Sequence, residues 1–370
     1  MSVFFSAHAA ADDAEDAVAL ALEQLGPLPE GANLGFVYAT DAFAAELPSI
    51  VANLRQATGL SDWVGTVGLG VVATGNGFFD EPAISIMVAS LPPDSFRIFS
   101  GLERGVAALL RTHGAWIATH RPHFGVVHAD PLNPATPALV AQLADALPGY
   151  LVGGLVSSRT RHAQVAGSGA GAAEGGLSGV LFAESVAVRC GLSQGCSPIG
   201  PPRLVTEAKG AIIRTIDDRP AFDVLKEDLA LAGEVDARSL HIALPVEGSD
   251  TADYLVRNLT GVDAERGWVG IGDQVQRGDR VMFCRRDARS AGEDLERMLK
   301  RLKSRKRAAP AAGLYFSCVA RGPNLFEDAS AEMEAIQQAL GRFPLAGFFA
   351  NGEISSSRLY GYTGVLALFE

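Results

Sequence analysis

The sequence predicts an α/β protein of mixed β-sheets covered by helices, in two lobes built from repeated strand–helix–strand–strand units. Three observations predict it. One order of elements occurs three times. In each, a helix joins the first two strands, which suits parallel pairing through a right-handed crossover. The chain has 370 residues, 48% hydrophobic and 20% charged, enough apolar mass for two lobes.

In the first repeat, Leu34–Ala39 is a short apolar strand, and Ala44–Thr58 shows helical spacing of apolar residues. Trp63–Gly68 and Ala83–Ala89 are the second and third strands. In the second repeat, Phe124–His128 leads to a helix over Pro137–Leu147, then to strands Tyr150–Gly154 and Gly179–Phe182. In the third, Gly313–Ser317 leads to a helix over Ala331–Leu340, then to strands Leu345–Phe348 and Thr363–Leu368. Helices this short are not stable alone and must pack on a sheet. A loop before the third strand permits antiparallel pairing. Each second strand ends near a glycine, which lets backbone approach backbone or ligand closely.

The remaining segments set the domain organisation. Gly167–Gly176 reads as an insertion or lid within the second repeat. Ile213–Pro220 reads as a hairpin exit, with Pro220 opening a helix to about Leu231. The boundary therefore falls at 220, giving domains 1–220 and 221–370. The second lobe is read as strand Ser239–Leu244, helix-turn Asp253–Leu259, hairpin Gly267–Gly272 with Arg280–Cys284, and helix Ala288–Leu302.

Composition excludes several classes. A net charge of −11 repels nucleic acid and anionic membrane. The basic run Lys300–Arg307 reads as a cationic helix end entering a solvated linker. No apolar run reaches the roughly 18 residues needed to cross a bilayer. Met1–Ala11 lacks the basic residues of a secretory signal, so the expected location is cytoplasmic. Cys190, Cys196, Cys284 and Cys318 match no zinc spacing, so free thiols are expected and no metal site. Nucleotide-binding, GxSxG, HExxH and kinase motifs are absent.

Four segments carry a family resemblance. They are Gly195-Cys196-Ser197-Pro198-Ile199-Gly200, Asp253-Tyr254-Leu255-Val256-Arg257-Asn258, Phe316-Ser317-Cys318-Val319-Ala320-Arg321-Gly322, and Pro344–Ile354 with its Gly352-Glu353-Ile354 end. Together they resemble the FIST proteins, an N-terminal FIST half followed by a C-terminal FIST half. Gly65–Gly68 departs from the family by lacking a cysteine. The resemblance implies a bacterial, cytoplasmic sensory module that binds small molecules such as amino acids and signals through a separate partner protein. Some members are discussed as haem-containing nitric-oxide sensors, which makes haem an alternative cofactor; none is otherwise required. A homo-oligomer is compatible with this reading.

The candidate ligand-binding residues are Gly153, Gly154, Ser157, Cys196, Arg203, Arg321, Asn324, Asn351 and Glu353, in a pocket at strand ends between the lobes. Glu353 and Asn351 flank Gly352 at a polar corner, where a carboxylate can accept from a ligand amine. Arg321 follows a strand end and suits a carboxylate, with Glu353 as its natural ion-pair partner. On this reading Arg321→Ala and Glu353→Ala fold normally and lose ligand. Cys196 lies in a Gly-Cys-Ser-Pro turn without a local base; a cysteine-dependent hydrolase is the enzymatic alternative. Arg203 is a candidate anion contact. His120, His123 and His128 are the haem candidates, though His128 also stands where the other repeats have tyrosine or phenylalanine.

Overall fold

The computed structural model describes residues 2–169, 173–232, 236–246, 253–304 and 309–370. They form two compact units that interleave along the chain. The first holds Met1–Ser193, Leu295–Leu359 and Thr363–Glu370; the second holds Gln194–Asp294 and Tyr360–Tyr362. Position 220 lies inside the second unit.

The chain opens with β1 (Val3–Ala10) and α1 (Ala14–Leu25), capped by the Asp13 side chain. The first repeat follows: β2 (Leu34–Thr40), α2 (Leu47–Thr58), β3 (Trp63–Gly68), the hairpin β4 (Gly70–Ala73) and β5 (Asn76–Phe79), then β6 (Ala83–Ser90). The second is β7 (Phe96–Leu102), α3 (Ala107–His120), β8 (Phe124–Ala129), α4 (Thr136–Ala146), β9 (Tyr150–Leu155), β10 (Gln164–Gly167) and β11 (Leu177–Phe182). Strand β12 (Val188–Gln194) ends this stretch.

The chain then builds the second unit from β13 (Cys196–Pro198), β14 (Arg203–Lys209), β15 (Ile212–Ile216), β16 (Arg219–Pro220), α5 (Ala221–Ala232), β17 (Leu240–Pro245), β18 (Tyr254–Asp263), β19 (Trp268–Ile271) and β20 (Arg280–Arg286). All pairings here are antiparallel. Because β20 pairs with both β14 and β17, the sheet closes into a small barrel. Closure removes open edges, which an antiparallel sheet this short otherwise exposes. Its core includes Val205, Ile213, Val269, Val281 and Phe283, with Val224 and Leu225 of α5. Two sequence expectations are corrected here. Asp253–Leu259 is not a helix-turn: Tyr254–Asp263 is a strand, because β17 and β19 offer it pairing edges on both sides. Nor does β19 form a hairpin with β20; it pairs with β15 and β18.

Helix α6 (Ala288–Ser304) precedes the third repeat: β21 (Ala312–Cys318), the short α7 (Pro323–Phe326), α8 (Ala331–Leu340), β22 (Leu345–Ala350), β23 (Glu353–Ser355), β24 (Arg358–Tyr360) and β25 (Thr363–Phe369). The basic run expected at Lys300–Arg307 and the loop at Gly167–Gly176 fall partly outside the described residues.

Within the first unit the three repeats match in pairing. The first and second strands pair in parallel: β2 with β3, β8 with β9, β21 with β22. The third strand of each pairs antiparallel with the first: β6 with β2, β11 with β8, β25 with β21. The strand that follows each second strand leaves its own sheet. Strand β4 joins β22, β23 joins β9, and β10 joins β3. The three sheets are thus tied by a cyclic exchange of strands.

The repeat fixes three glycines. A Cβ at Gly65 would lie 1.6 Å from the Val37 carbonyl oxygen, at Gly153 1.9 Å from that of Val127, and at Gly347 1.9 Å from that of Tyr315. Each second strand therefore presses on the first so closely that only glycine fits. One face of each sheet is covered by its own helices, with three separate apolar cores. Side chains from different repeats meet elsewhere. Tyr38, His128 and Phe316 each stand three residues after the glycine that opens their first strand. Tyr38 lies 5.5 Å from His128 and 6.3 Å from Phe316, centroid to centroid, and stacks on Phe348 at 5.5 Å.

Candidate functional site

The third repeat departs from the other two by burying charge. The first turns of α2 and α4 hold no acidic residue, whereas the first turn of α8 places Glu332 against β21. Arg321, beyond the end of β21, is fully buried, as are Glu332 and Glu353. Arg321 Nε and Nη2 donate to Glu332 Oε1 at 2.8 and 2.6 Å. Tyr315 donates to the same oxygen at 2.7 Å, and Ser317 to Glu332 Oε2 at 2.6 Å. The expected Arg321–Glu353 ion pair is therefore corrected: α8 delivers Glu332 to the guanidinium, and Glu353 acts on it only through space. Burial weakens the Arg321 cation, but Glu332, Tyr315 and Glu353 outweigh that and raise its pKa.

Glu353 opens β23, opposite Gly154 of β9. Its Oε2 accepts from the Thr363 amide at 3.1 Å and the Thr363 hydroxyl at 2.7 Å. Its Oε1 has no hydrogen-bond partner of ordinary geometry. Burial pushes the carboxyl up to about 8, against the Thr363 donors, the Arg321 charge and the Cys318 thiol. At neutral pH Glu353 is mostly protonated, and the cluster is close to one compensated ion pair.

The other expected site residues are placed as follows. Gly153 meets the Val127 carbonyl, and a Cβ at Gly154 would lie 2.5 Å from that of Ala350. Ser157 receives the Leu69 amide at 2.9 Å and donates to the Phe349 carbonyl, so one hydroxyl links all three repeats. Asn351 is exposed, and its backbone amide donates to Leu155. Asn324 is exposed and donates to the Val319 carbonyl at 2.7 Å. The fold thus brings Gly153, Gly154, Ser157, Arg321, Asn351 and Glu353 to neighbouring strand ends of one unit. Cys196 and Arg203 belong to the other. There the Cys196 thiol is buried beside Cys284. Arg203 is held by the buried Asp228, with Nη2–Oδ1 at 2.5 Å, and by Asp217 and Glu227 at 3.5 and 3.6 Å.

The three haem candidates are placed as follows. His120 ends α3, stacked on Trp116 and 3.0 Å from Asp94. His123 is half-buried. His128 is enclosed among Tyr38 and Phe348, accepts or donates one hydrogen bond with the Tyr38 hydroxyl at 3.2 Å, and is pushed down to about 3 by burial. Its ring has no space beside it for a macrocycle. Among the described residues no group of three His, Cys, Asp or Glu side chains is placed to hold a metal ion.

A cavity of about 430 Å³ opens elsewhere in the first unit, between α3 and β7 and beside the ends of β3 and β10. It lies where β10, exchanged into the first sheet, and β7 are the terminal strands of neighbouring sheets. Phe96, Ile98, Phe99 and Leu109 give apolar walls, and Asp62 and His113 supply polar groups. Burial raises the Asp62 pKa, with Arg55 opposing. Arg55 itself spends its donors on the carbonyls of Ser61, Gly167 and Gly169. Burial lowers the His113 pKa; the Ile98 carbonyl works the other way, and Arg97 adds to the lowering. Ligand pockets typically occupy about 300–1,000 Å³ and combine apolar walls with a few polar groups. Sequence reasoning missed this site, because its walls come from strands too irregular to read and from a helix without a strong apolar stripe.

Two family models match the chain: the FIST N domain over residues 33–219 and the FIST C domain over residues 221–356. The chain belongs to the FIST family, whose domains are associated with signal transduction and small-ligand sensing. The chain is similar to Rv0628c of Mycobacterium tuberculosis, described as an uncharacterized protein, with 34% identity covering 89% of this chain and 88% of that protein. It is also similar to Mb0898c of Mycobacterium bovis, likewise described as uncharacterized, with 31% identity covering 88% of this chain and 86% of that protein. No helix among the described residues is long and apolar enough to cross a membrane.

Proposed function

We propose that this protein is a small-molecule-binding sensory protein acting in signal transduction. The observation that carries the reading is the solvent-open cleft between α3 and β7, whose volume and mixed lining fall in the range of small-molecule sites. The family association supports the same reading. The buried cluster of Arg321, Glu332 and Glu353 supports it differently. It holds the strand ends of the third repeat in one arrangement and leaves Glu353 Oε1 without a hydrogen-bond partner. The output passes to a separate signalling protein. No observation favours the haem or hydrolase readings: His128 is enclosed, and Cys196 is buried against another thiol.

The test is a native mass spectrum of the protein beside its denatured mass, before and after incubation with a cellular metabolite extract. A discrete adduct below about 500 Da is expected, the scale of ligand that such cavities hold. Bare protein in both spectra overturns the proposal.

A further inference from the structure

The cavity's chemistry narrows the class of its occupant. Its carboxylate, Asp62, makes no ion pair and accepts no hydrogen bond among the described residues. The groups lining it include no lysine or arginine. Arg55, whose charge acts on Asp62, gives its donors to three backbone carbonyls, and Arg97 binds Asp94 and the face of Trp116, 4.9 Å from the ring centroid. Burial disfavours the cationic form of His113. A half-buried carboxylate against aromatic walls, within the field of Arg55 but with no cation bonded to it, can accept from an external cation with an apolar body.

We propose that the cavity between α3 and β7 binds a small organic amine, an ammonium on a short aryl or alkyl body, with Asp62 accepting from the ammonium and Phe96 and Phe99 packing on the body. The proposal rests on the small-molecule reading and deepens it. It separates simple amines from amino acids, because nothing in the lining compensates an amino acid's own carboxylate. Thr112 and Ser100 at the wall add hydroxyls for a polar substituent.

Three probes of one shape test it by isothermal titration calorimetry at pH 7 on the full chain: 2-phenylethylamine, 2-phenylethanol and 3-phenylpropionate. The amine is expected to bind about tenfold tighter than the alcohol, the worth of one charge-assisted hydrogen bond. The carboxylate is expected not to bind. Asp62→Asn, nearly isosteric, removes the amine's advantage and leaves the alcohol unchanged. Thr112→Trp, from an exposed position on α3, fills the cavity and removes both. Circular dichroism confirms that both variants fold. If the alcohol binds as tightly as the amine, or the amine ignores Asp62→Asn, the amine proposal falls while the small-molecule reading stands. If the carboxylate binds best, it falls as well. If none binds at about 10 mM, the amine proposal falls, and the mass spectra decide the small-molecule reading.

Discussion

Arg321 and Glu332 form an ion pair with no solvent exposure on either side chain, Nη2 to Oε1 at 2.6 Å. Tyr315 and Ser317 complete the hydrogen bonding of the carboxylate, so no lone charge is left in the interior. A buried pair of this kind adds little net stability but makes loss of one partner severe.

Glu332→Gln keeps the volume and an acceptor but strands the Arg321 cation. It is expected to cost about 3–5 kcal/mol, read as a shift in the urea midpoint. Arg321→Ala leaves the carboxylate stranded and is expected to destabilise similarly, not to fold normally as the sequence reading had it.

Glu353 has a folded pKa of about 8, above its ordinary value of 4.5. Between those pH values the native state holds a proton that the unfolded state has lost. Stability is therefore expected to fall as pH rises from about 4.5 to about 8. Glu353→Gln mimics the protonated acid and removes this slope. Urea midpoints of the two proteins across pH 5–9 are expected to converge at the acid end, with the variant ahead at the alkaline end.

His128 gives a slope of the opposite sign. Its folded pKa of about 3 lies below 6.5, so the unfolded state takes a proton that the native state refuses. Stability is expected to fall as pH drops through that window. His128→Phe, which copies Phe316 at the matching position, removes that loss at acid pH and costs the Tyr38 hydroxyl its partner at all pH. The wild-type minus variant difference in midpoint, plotted from pH 7 to pH 4, reads the two effects apart. His128 is also expected to show no titration by NMR above pH 4.

Gly153→Ala places a Cβ 1.9 Å from the Val127 carbonyl oxygen, at φ +137°. Overpacking against backbone that cannot yield is expected to cost about 3 kcal/mol or more. Gly114→Ala in α3 meets nothing within 4 Å and is expected to stabilise by about 0.5–1 kcal/mol. Thermal unfolding of both variants checks this.

The three repeats were legible because fully buried strands read as continuous apolar runs, and a helix between two of them dictates parallel pairing. The strands exchanged between sheets were not. Gly70–Ala73 and Glu353–Ser355 are too short to carry a period, and their partners lie far off in sequence. The closed barrel was hidden for the same reason, as it closes through β20, which pairs with both β14 and β17. At the site, sequence marked Arg321 and Glu353 as unusual charges at strand ends. It gave Arg321 the wrong partner, because Glu332 reads as an ordinary exposed helix residue. Asp62 and His113 carry no local signal, since only the seam between two sheets brings them to one cavity.

The most direct measurement compares the wild-type protein with Thr112→Trp after incubation in the same metabolite extract, by native mass spectrometry with release and identification of the adduct. The wild type is expected to retain a small amine-bearing molecule that the variant loses. Equal retention by both, or none by either, would contradict the assignment of the cavity as the sensory site.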